Sequence, residues 1–410
     1  MRIVALFGGG KRVGMIMAVG LVLCWLSLAT ATNTVFGRKA PALASVLGWS
    51  GSNSRATEAA NLLSADSSPA SLARAEALAR RSLHRELLNS RAAATLASVA
   101  ALQGDRTRAD RMFRYTETIT RRDLPTQFWL LQAAVERGDI EGALLHYDRA
   151  MSVSPPSWNT LVPVLATAAS EPAVAHAIAP RIKRRPNWWS AFIDRLISTG
   201  DAPATSLPII LPALQFSPRD KVDLPFLVRG IEKLVEAGAY DDAWALYRRS
   251  TGAPAGARQG LRNGGFEAAT PVAPFDWRLV EGEGLFATVQ RREDGAAGNA
   301  LYLSAEAGRT GDVAQQLLLL RPGRYTLSGT IGGSALESDG PEVLVTCVGA
   351  KAPVAQITLP APDQEGRRFV ATVGIPAGAC PAQWLSIRLR ASLDTAAPEV
   401  WIDSLSMRRG

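Results

Sequence analysis

WLSIRLR, residues Trp384–Arg390, alternates polar and apolar side chains along its whole length. Successive side chains of a β-strand point to opposite faces, so Leu385, Ile387 and Leu389 are expected to face a core. The opposite face is expected to carry Trp384, Ser386, Arg388 and Arg390. The stretch therefore predicts one strand of a half-buried sheet, Trp384–Ala391.

Runs of the same kind fill the C-terminal part of the chain, with Gly and Pro between them. The other predicted strands are Leu301–Ser304, Val313–Leu320, Tyr325–Gly329, Val343–Val348, Ala355–Leu359, Arg368–Val373 and Glu399–Met407. Many short strands separated by turn residues favour an antiparallel β-sandwich of the jelly-roll type. We expect this domain to occupy residues 258–410, after the Gly- and Ala-rich break at 252–256.

An ordered set of short motifs runs through the predicted sandwich. Its members are Asn263–Glu267 (NGGFE), Phe275–Trp277 (FDW), Gln315–Leu317 (QQL), Leu320–Leu327 (LRPGRYTL) and Val400–Leu405 (VWIDSL). The set resembles the galactose-binding-like fold of carbohydrate-binding modules, the group typified by cellulose- and xylan-binding families. The resemblance implies a sugar-binding β-sandwich with Trp277 in its core, although one fold serves many functions.

The polar face of the Trp384–Arg390 strand is the candidate sugar-binding site. Trp384 can stack on a pyranose ring, and Arg388 and Arg390 can pair with an acidic polysaccharide. The alternative is an ordinary solvated face that carries one partly covered tryptophan.

A structural calcium ion is a second expectation that rests on the resemblance. In carbohydrate-binding modules of this kind the opening Glu and the closing Asp often hold such an ion. Glu267 and Asp403 occupy those positions, and carboxylate oxygens suit calcium. In the alternative reading, Asp403 caps backbone amides instead.

The number and positions of the cysteines indicate the redox compartment of the protein. Cys24 lies near the N-terminus, and only Cys347 and Cys380 fall within the predicted sandwich. Two cysteines in an exported domain predict one disulfide, and two unpaired buried thiols are the alternative.

The middle of the chain, residues 56–252, has a helical pattern with an internal repeat. Gly104-Asp105 recurs 34 residues later as Gly138-Asp139. With the same offset Ala109 corresponds to Ala143, and Phe113 corresponds to Tyr147. This spacing resembles the tetratricopeptide repeat, in which paired helices stack into a solenoid.

The best unit of this repeat runs from Leu124 to Ser157, and a later unit is expected around residues 238–247. Many prolines interrupt the stretch between them, which predicts shorter and diverged helices. Solenoids of this kind bind peptides or protein partners on a concave surface. An ordinary helical bundle is the alternative.

The N-terminus predicts a membrane segment. Arg2, Lys11 and Arg12 precede Val13–Thr32, which contains no charged residue. Twenty helical residues rise about 30 Å, enough to cross a bilayer, and basic residues favour keeping their own side in the cytoplasm. Residues 1–33 are thus expected to be a single-pass anchor in a bacterial inner membrane, followed by a linker at 34–55 and a periplasmic remainder. Alternatively, the small residues Ala29 and Ala31 form a signal-peptidase site, and cleavage releases a soluble periplasmic protein.

Charge and motifs exclude several function classes. Of the net charge of +8, six basic residues and no acidic residue lie within residues 1–55, so the folded regions are nearly neutral. Nucleic acid is therefore not an expected partner. Three histidines form no paired zinc motif, and no carboxylate pair is singled out, so we expect no enzyme and no cofactor beyond the calcium.

The fold class expected is multidomain α plus β: a membrane helix, a helical repeat solenoid and an antiparallel β-sandwich. The function expected is that of an envelope adaptor, with a protein partner on the repeats and a glycan on the sandwich. Extracellular polysaccharide assembly or export is the expected setting. The alternative is a structural scaffold that binds no sugar.

Overall fold

The computed structural model describes residues 20–24, 27, 51–198, 203–267, 271–292, 297–335, 340–378, 380–393 and 398–410. These residues form two compact units. The first ends at Leu161 and also includes Pro186–Trp188, and the second comprises Val162–Arg185 and Trp189–Gly410.

The predicted membrane segment lies mostly outside the described residues. Of Arg12–Thr32, only residues 20–24 and 27 are described, and they are helical and exposed. Among the residues that the structure describes, no helix is both long and apolar enough to cross a bilayer. The predicted linker at 34–55 is described only from residue 51, and the first helix already begins at Ser52.

Helices of the first unit pack as consecutive pairs. They are α1 Ser52–Ala65, α2 Pro69–Arg85, α3 Ser90–Leu102, α4 Arg106–Ile119, α5 Leu124–Glu136 and α6 Ile140–Val153. Helix α1 packs on α2, α3 on α4 and α5 on α6. A short 3-10 helix, Pro155–Ser157, leads into α7, Trp158–Ala168. The prediction of paired helices is therefore confirmed.

The repeated Gly-Asp step makes the same turn twice. Gly104 and Gly138 have φ angles of +80° and +69°, a region that glycine enters without steric strain. The next residue caps the following helix: Asp105 accepts from the Arg108 amide, and Asp139 from the Gly142 amide. The offset of 34 residues seen in the sequence thus reproduces a loop geometry as well as a pattern.

Helix packing within each pair depends on small residues beside a ring. Ala109 and Ala143 are buried, as are Phe113 and Tyr147 one turn further along. The ring of Phe113 also stacks on Trp129, with centroids 5.1 Å apart. Small side chains let the helix axes approach, and the rings fill the groove that remains.

The second unit begins with short, proline-punctuated helices, as the sequence predicted. They are α8 Pro172–Ile182, α9 Trp189–Ser198, α10 Pro203–Ile210, α11 Asp223–Glu236 and α12 Tyr240–Thr251. Two 3-10 helices, Leu211–Leu214 and Ala255–Gln259, lie between α10 and α11 and after α12. Helices α11 and α12 pack as a hairpin, with Gly238 (φ +74°) at the turn.

Two antiparallel sheets form the C-terminal β-sandwich. The strands are β1 Arg278–Leu279, β2 Glu281–Gly282, β3 Leu285–Arg291, β4 Asn299–Ala305, β5 Thr310–Leu318, β6 Gly323–Ser334, β7 Glu342–Cys347, β8 Ala355–Thr358, β9 Arg367–Ile375, β10 Gln383–Arg390 and β11 Glu399–Arg409. One sheet has the order β1-β5-β10-β7-β8, and the other has the order β2-β3-β4-β11-β6-β9. Their facing side chains form one apolar core that includes Trp277.

A disulfide links β7 to the loop before β10. Cys347 ends β7, Cys380 lies three residues before Gln383, and their Cα atoms are 5.2 Å apart. Both residues are buried against the sandwich core. The bond therefore closes a covalent loop around β8 and β9.

Arg262 joins helix α12 to the sandwich. It is buried, and its Nε donates to the Phe275 carbonyl at 2.6 Å. Its guanidinium also donates to the carbonyls of Ala257, Gly260 and Leu317. The cation lies 5.2 Å from the Trp244 ring centroid and 5.3 Å from that of Phe275. Burial lowers the pKa of Arg262 to about 10.

A second buried contact beside Arg262 reinforces this junction. The Tyr247 hydroxyl of α12 donates to Asp276 Oδ1 at 2.9 Å, and Asp276 Oδ2 accepts from the Val272 amide at 2.9 Å. The composition break at 252–256, where the sequence placed the end of the helical domain, is thus bridged by buried polar contacts. For this reason the later helices and the sandwich form one compact unit.

Candidate functional site

Strand β10 presents the two faces that its alternation predicts. Leu385, Ile387 and Leu389 lie in the sandwich core. On the opposite face Trp384 and Arg388 are half-buried and Arg390 is exposed. The candidate sugar-binding residues therefore share one face of the five-stranded sheet.

A band of hydrogen-bonded polar side chains crosses this face. Arg388 lies opposite Asp312 on β5, and its Nε donates to Asp312 Oδ1 at 2.7 Å. Gln315 Nε2 donates to the other oxygen of Asp312 at 3.1 Å and to Ser386 Oγ at 3.2 Å. On the far side Arg388 lies opposite Glu342 of β7. The positive charge of Arg388 is therefore balanced by the Asp312 carboxylate.

The three predicted residues do not converge on one point. At about 3.4 Å per residue, Arg388 lies roughly 14 Å and Arg390 roughly 20 Å along the strand from Trp384. Arg390 pairs in register with Thr310 at the far end of β5. Trp384 is thus the member of the set that lies at a pocket, and the arginines lie outside its lining.

The pocket beside Trp384 has a volume of about 240 Å³. Its lining residues are Glu232, Val235, Glu236, Pro274, Arg278 and Trp384. The volume is somewhat below the roughly 300–1,000 Å³ of pockets for drug-sized ligands, so it suits a smaller group such as one ring. Val235 and Pro274 supply apolar surface, and the other residues supply polar groups around the indole.

Arg278 of β1 holds the two sides of the pocket together. Its guanidinium carbon lies 5.9 Å from the Trp384 ring centroid, within the range of a cation–π contact. The same guanidinium forms an ion pair with Glu232 of α11. The indole ring is thus oriented by a side chain that is itself fixed by a helix.

Helix α11 contributes one side of the pocket because of its amphipathic pattern. Leu227, Ile231 and Leu234 are buried among the helices. Glu232, Val235 and Glu236 follow the i, i+3, i+4 spacing, so they lie on one stripe of the helix surface. The sequence alone does not single out these residues, because nothing in a helical stripe indicates that a strand some 150 positions later packs against it.

The predicted calcium ligands are close together but have other partners. A Cβ atom at Gly265 would lie 4.0 Å both from Asp403 Oδ1 and from the Cγ of Glu267. The Glu267 carboxylate accepts from the Asn299 amide at 2.6 Å and from Asn299 Nδ2 at 2.9 Å. Asp403 accepts from the backbone amide of Ser404, which is the contact that the capping alternative describes.

A guanidinium also contacts Asp403. Arg292 Nη1 donates to Asp403 Oδ2 at 2.9 Å, and both side chains are largely buried. The Arg292 guanidinium carbon lies 4.1 Å from the Trp401 ring centroid. Within the described ranges no group of three or more His, Cys, Asp or Glu side chains could hold a metal ion. Arg292 and Asn299 therefore occupy the two carboxylates in this structure and would compete with a calcium ion, and calcium binding at Glu267 and Asp403 stays a prediction.

Comparison with known proteins finds only remote similarity, and it is limited to solved structures. No protein-family model matches the chain, and no curated protein matches it significantly. A solved structure described as "CBM4 structure and function" is 18% identical over 37% of this chain and 99% of its own length, with a TM-score of 0.28. TmCBM61 in complex with β-1,4-galactotriose is 15% identical over 37% of this chain and 97% of its own, with a TM-score of 0.27. With TM-scores of 0.28 and 0.27, these similarities assign the chain neither a family nor a ligand.

Proposed function

We propose that the chain is a glycan-binding adaptor whose sandwich binds an oligosaccharide at Trp384. The observation that carries the proposal is the half-buried indole at a pocket of about 240 Å³, ringed by hydrogen-bonding groups. A pyranose has flat C–H faces that pack on an aromatic ring and hydroxyls that need donors and acceptors around the rim. Arg278, Glu232 and Glu236 offer both kinds of group beside the ring.

An uncharged glycan suits this face better than the acidic one that the sequence suggested. Arg388 is paired with Asp312, and Arg278 is paired with Glu232. Neither guanidinium is left to pair with the carboxylate of a uronic acid without first giving up a protein partner. Such an exchange gains little, because one ion pair replaces another.

The proposed location is the outer face of a bacterial inner membrane. The support is the uncharged stretch Val13–Thr32 behind basic residues, together with the Cys347–Cys380 disulfide. Disulfides form and persist mainly in exported proteins. Cleavage after Ala31 would instead give a soluble periplasmic form, and N-terminal sequencing of the membrane fraction distinguishes the two.

The helical repeats are proposed to bind a protein partner in the manner of tetratricopeptide repeats. The support is the recurring Gly-Asp turn and the paired packing of α3 with α4 and α5 with α6. Assembly or export of an extracellular polysaccharide would employ both kinds of binding. We propose no catalytic role for the chain.

A glycan array probed with the full chain in detergent tests the proposal. We expect binding to at least one neutral oligosaccharide, and Trp384→Ala should weaken it about tenfold, the equivalent of about 1.4 kcal/mol of stacking. Trp129→Ala is the matched control, because Trp129 is a half-buried tryptophan that does not line the pocket. Equal losses from both variants would count against a site at Trp384.

One observation favours the scaffold alternative. Trp384 contacts Arg278, and Arg278 is paired with Glu232, so the indole also takes part in packing the sheet against α11. A silent array combined with a lower melting temperature for Trp384→Ala would indicate that the residue is structural.

A further inference from the structure

We infer that helix α11 is part of the glycan site and that its two carboxylates select uncharged sugars against uronic acids. The inference rests on the proposed function and extends it from the sandwich to a helix outside the sandwich. A helix at this position turns an open sheet face into a pocket with a charge preference of its own.

Half of the pocket lining comes from α11. Glu232, Val235 and Glu236 belong to the helix, and Pro274, Arg278 and Trp384 belong to the β-sandwich. A sugar ring stacked on Trp384 within this pocket lies against the helix. The Glu carboxylates are acceptors for sugar hydroxyls, which are donors as well as acceptors.

The helix is fixed before any ligand arrives. Arg262 and Tyr247 attach the α11–α12 hairpin to the sandwich through buried hydrogen bonds. The ion pair of Arg278 with Glu232 adds a direct link at the pocket itself. A preformed wall needs no ordering on binding, so its groups contribute to specificity without that entropic penalty.

The lining carries two carboxylates and one guanidinium. Arg278 is paired with Glu232, so Glu236 is the carboxylate of the lining that has no cationic partner within the lining itself. Lys233 contacts Glu236 at 3.1 Å, but the Glu236 side chain is 67% exposed, so solvent screens that pair. A uronic acid on Trp384 would place a third carboxylate among these groups, and a like charge at short range disfavours that ligand.

Charge reversal at Glu236 tests the inference. The full chain and its variants are titrated with two matched probe sets: neutral tetrasaccharides of glucose, galactose, mannose and xylose, and oligogalacturonate and oligoglucuronate of equal length. The readout is the ratio of uronate affinity to neutral-glycan affinity. We expect Glu236→Arg to raise this ratio about fivefold, because the repulsion between position 236 and a bound uronate is removed and an attraction of similar size replaces it.

Asp242→Arg is the matched control. Asp242 is an exposed residue of α12 that does not line the pocket, and its replacement changes the net charge by the same amount. We expect its ratio to equal that of the unchanged protein. Equal ratios for the two variants, or a preference of the unchanged protein for uronates, would overturn the inference.

The outcomes separate this inference from the proposed function. One outcome is that Trp384→Ala abolishes neutral-glycan binding while Glu236→Arg leaves the affinity ratio unchanged. The binding site would then lie on the sheet alone, without a contribution from the helix. Glycan binding that is absent, or that is unaffected by Trp384→Ala, overturns both. A ratio that rises in Glu236→Arg only, in a protein that needs Trp384, supports both.

Discussion

Replacing Cys347 and Cys380 together with Ala deletes the covalent link between β7 and the segment that enters β10. Both strands belong to the sheet that carries Trp384, and they are hydrogen-bonded neighbours from Gln383 to Arg388. The two side chains are small and buried, so their replacement by Ala removes little packing. The main effect is expected in the unfolded chain, which regains the freedom of a loop.

The size of the effect follows from the sequence separation of 33 between the two cysteines. In the chain-entropy model, closing a loop of that length removes about 12.5 cal/mol/K from the unfolded state, or about 3.7 kcal/mol at 25 °C. Domains of this size are stable by about 5–15 kcal/mol, so the link supplies a large share. With a urea m-value of about 2 kcal/mol/M, the midpoint should fall by nearly 2 M.

The assay is urea unfolding followed by hydrogen exchange of peptides from β7 and β10. Dithiothreitol should lower the midpoint of the unchanged protein by the same amount and leave the double variant unaffected. Cys24→Ser serves as the control, because Cys24 is an exposed free cysteine. A midpoint shift below about 0.5 M, equivalent to about 1 kcal/mol, would refute the loop-entropy reasoning.

Three further predictions test the fold around the site. Neither EDTA nor added calcium should change the melting temperature, and a melting temperature that depends on calcium would contradict the Arg292–Asp403 pairing. Arg292→Met should destabilise the sandwich by about 2 kcal/mol, because Asp403 loses its charge partner. Burial, followed by the nearby Asp276 charge, raises the pKa of Tyr247. The unfolded tyrosine ionises near pH 10, while the folded one keeps its proton. The free energy of unfolding should therefore fall above pH 10, by up to about 1.4 kcal/mol per pH unit. Tyr247→Phe should abolish this part of the pH dependence when thermal melts at pH 9 and pH 11 are compared. Gly138→Ala should destabilise the first unit by about 1 kcal/mol in urea unfolding, because an alanine is strained at φ +69°. Gly256→Ala is the control and should have no effect, because a Cβ atom there meets open space. Equal effects of the two variants would contradict the turn assignment at Gly138.

Most of the sandwich could be predicted because its strands bury one face only. Alternation located β4 to β11, and each appears within a few residues of its predicted position. Strand β3, Leu285–Arg291, was missed because its pattern is misleading: Phe286 and Val289 are exposed, and the small Ala287 faces the core. Strands β1 and β2 have two residues each, too short for any periodic signal.

Only the part of the candidate site that lies on one strand, β10, could be predicted from the sequence. Alternation placed Trp384 on the correct face of β10, but it could not supply the partners that change the chemistry of that face. Asp312 neutralises Arg388, and α11 encloses the indole. Both contacts join residues far apart in the chain. The burial of Arg262 could not be predicted from the sequence either. Arginine is usually a surface residue, and the carbonyls that accept its hydrogen bonds are known only from the structure.

Arg262 also determines how a mechanical load would travel. If the proposed site at Trp384 holds a polymer, tension on that polymer would act on β10, and the neighbouring strand β5 contributes the Leu317 carbonyl that accepts a hydrogen bond from Arg262. The same guanidinium lies against Trp244 of α12, so such tension would reach the helical hairpin through buried contacts. Under the proposed function, the buried contacts of Arg262 would therefore transmit force from the sheet to helix α12.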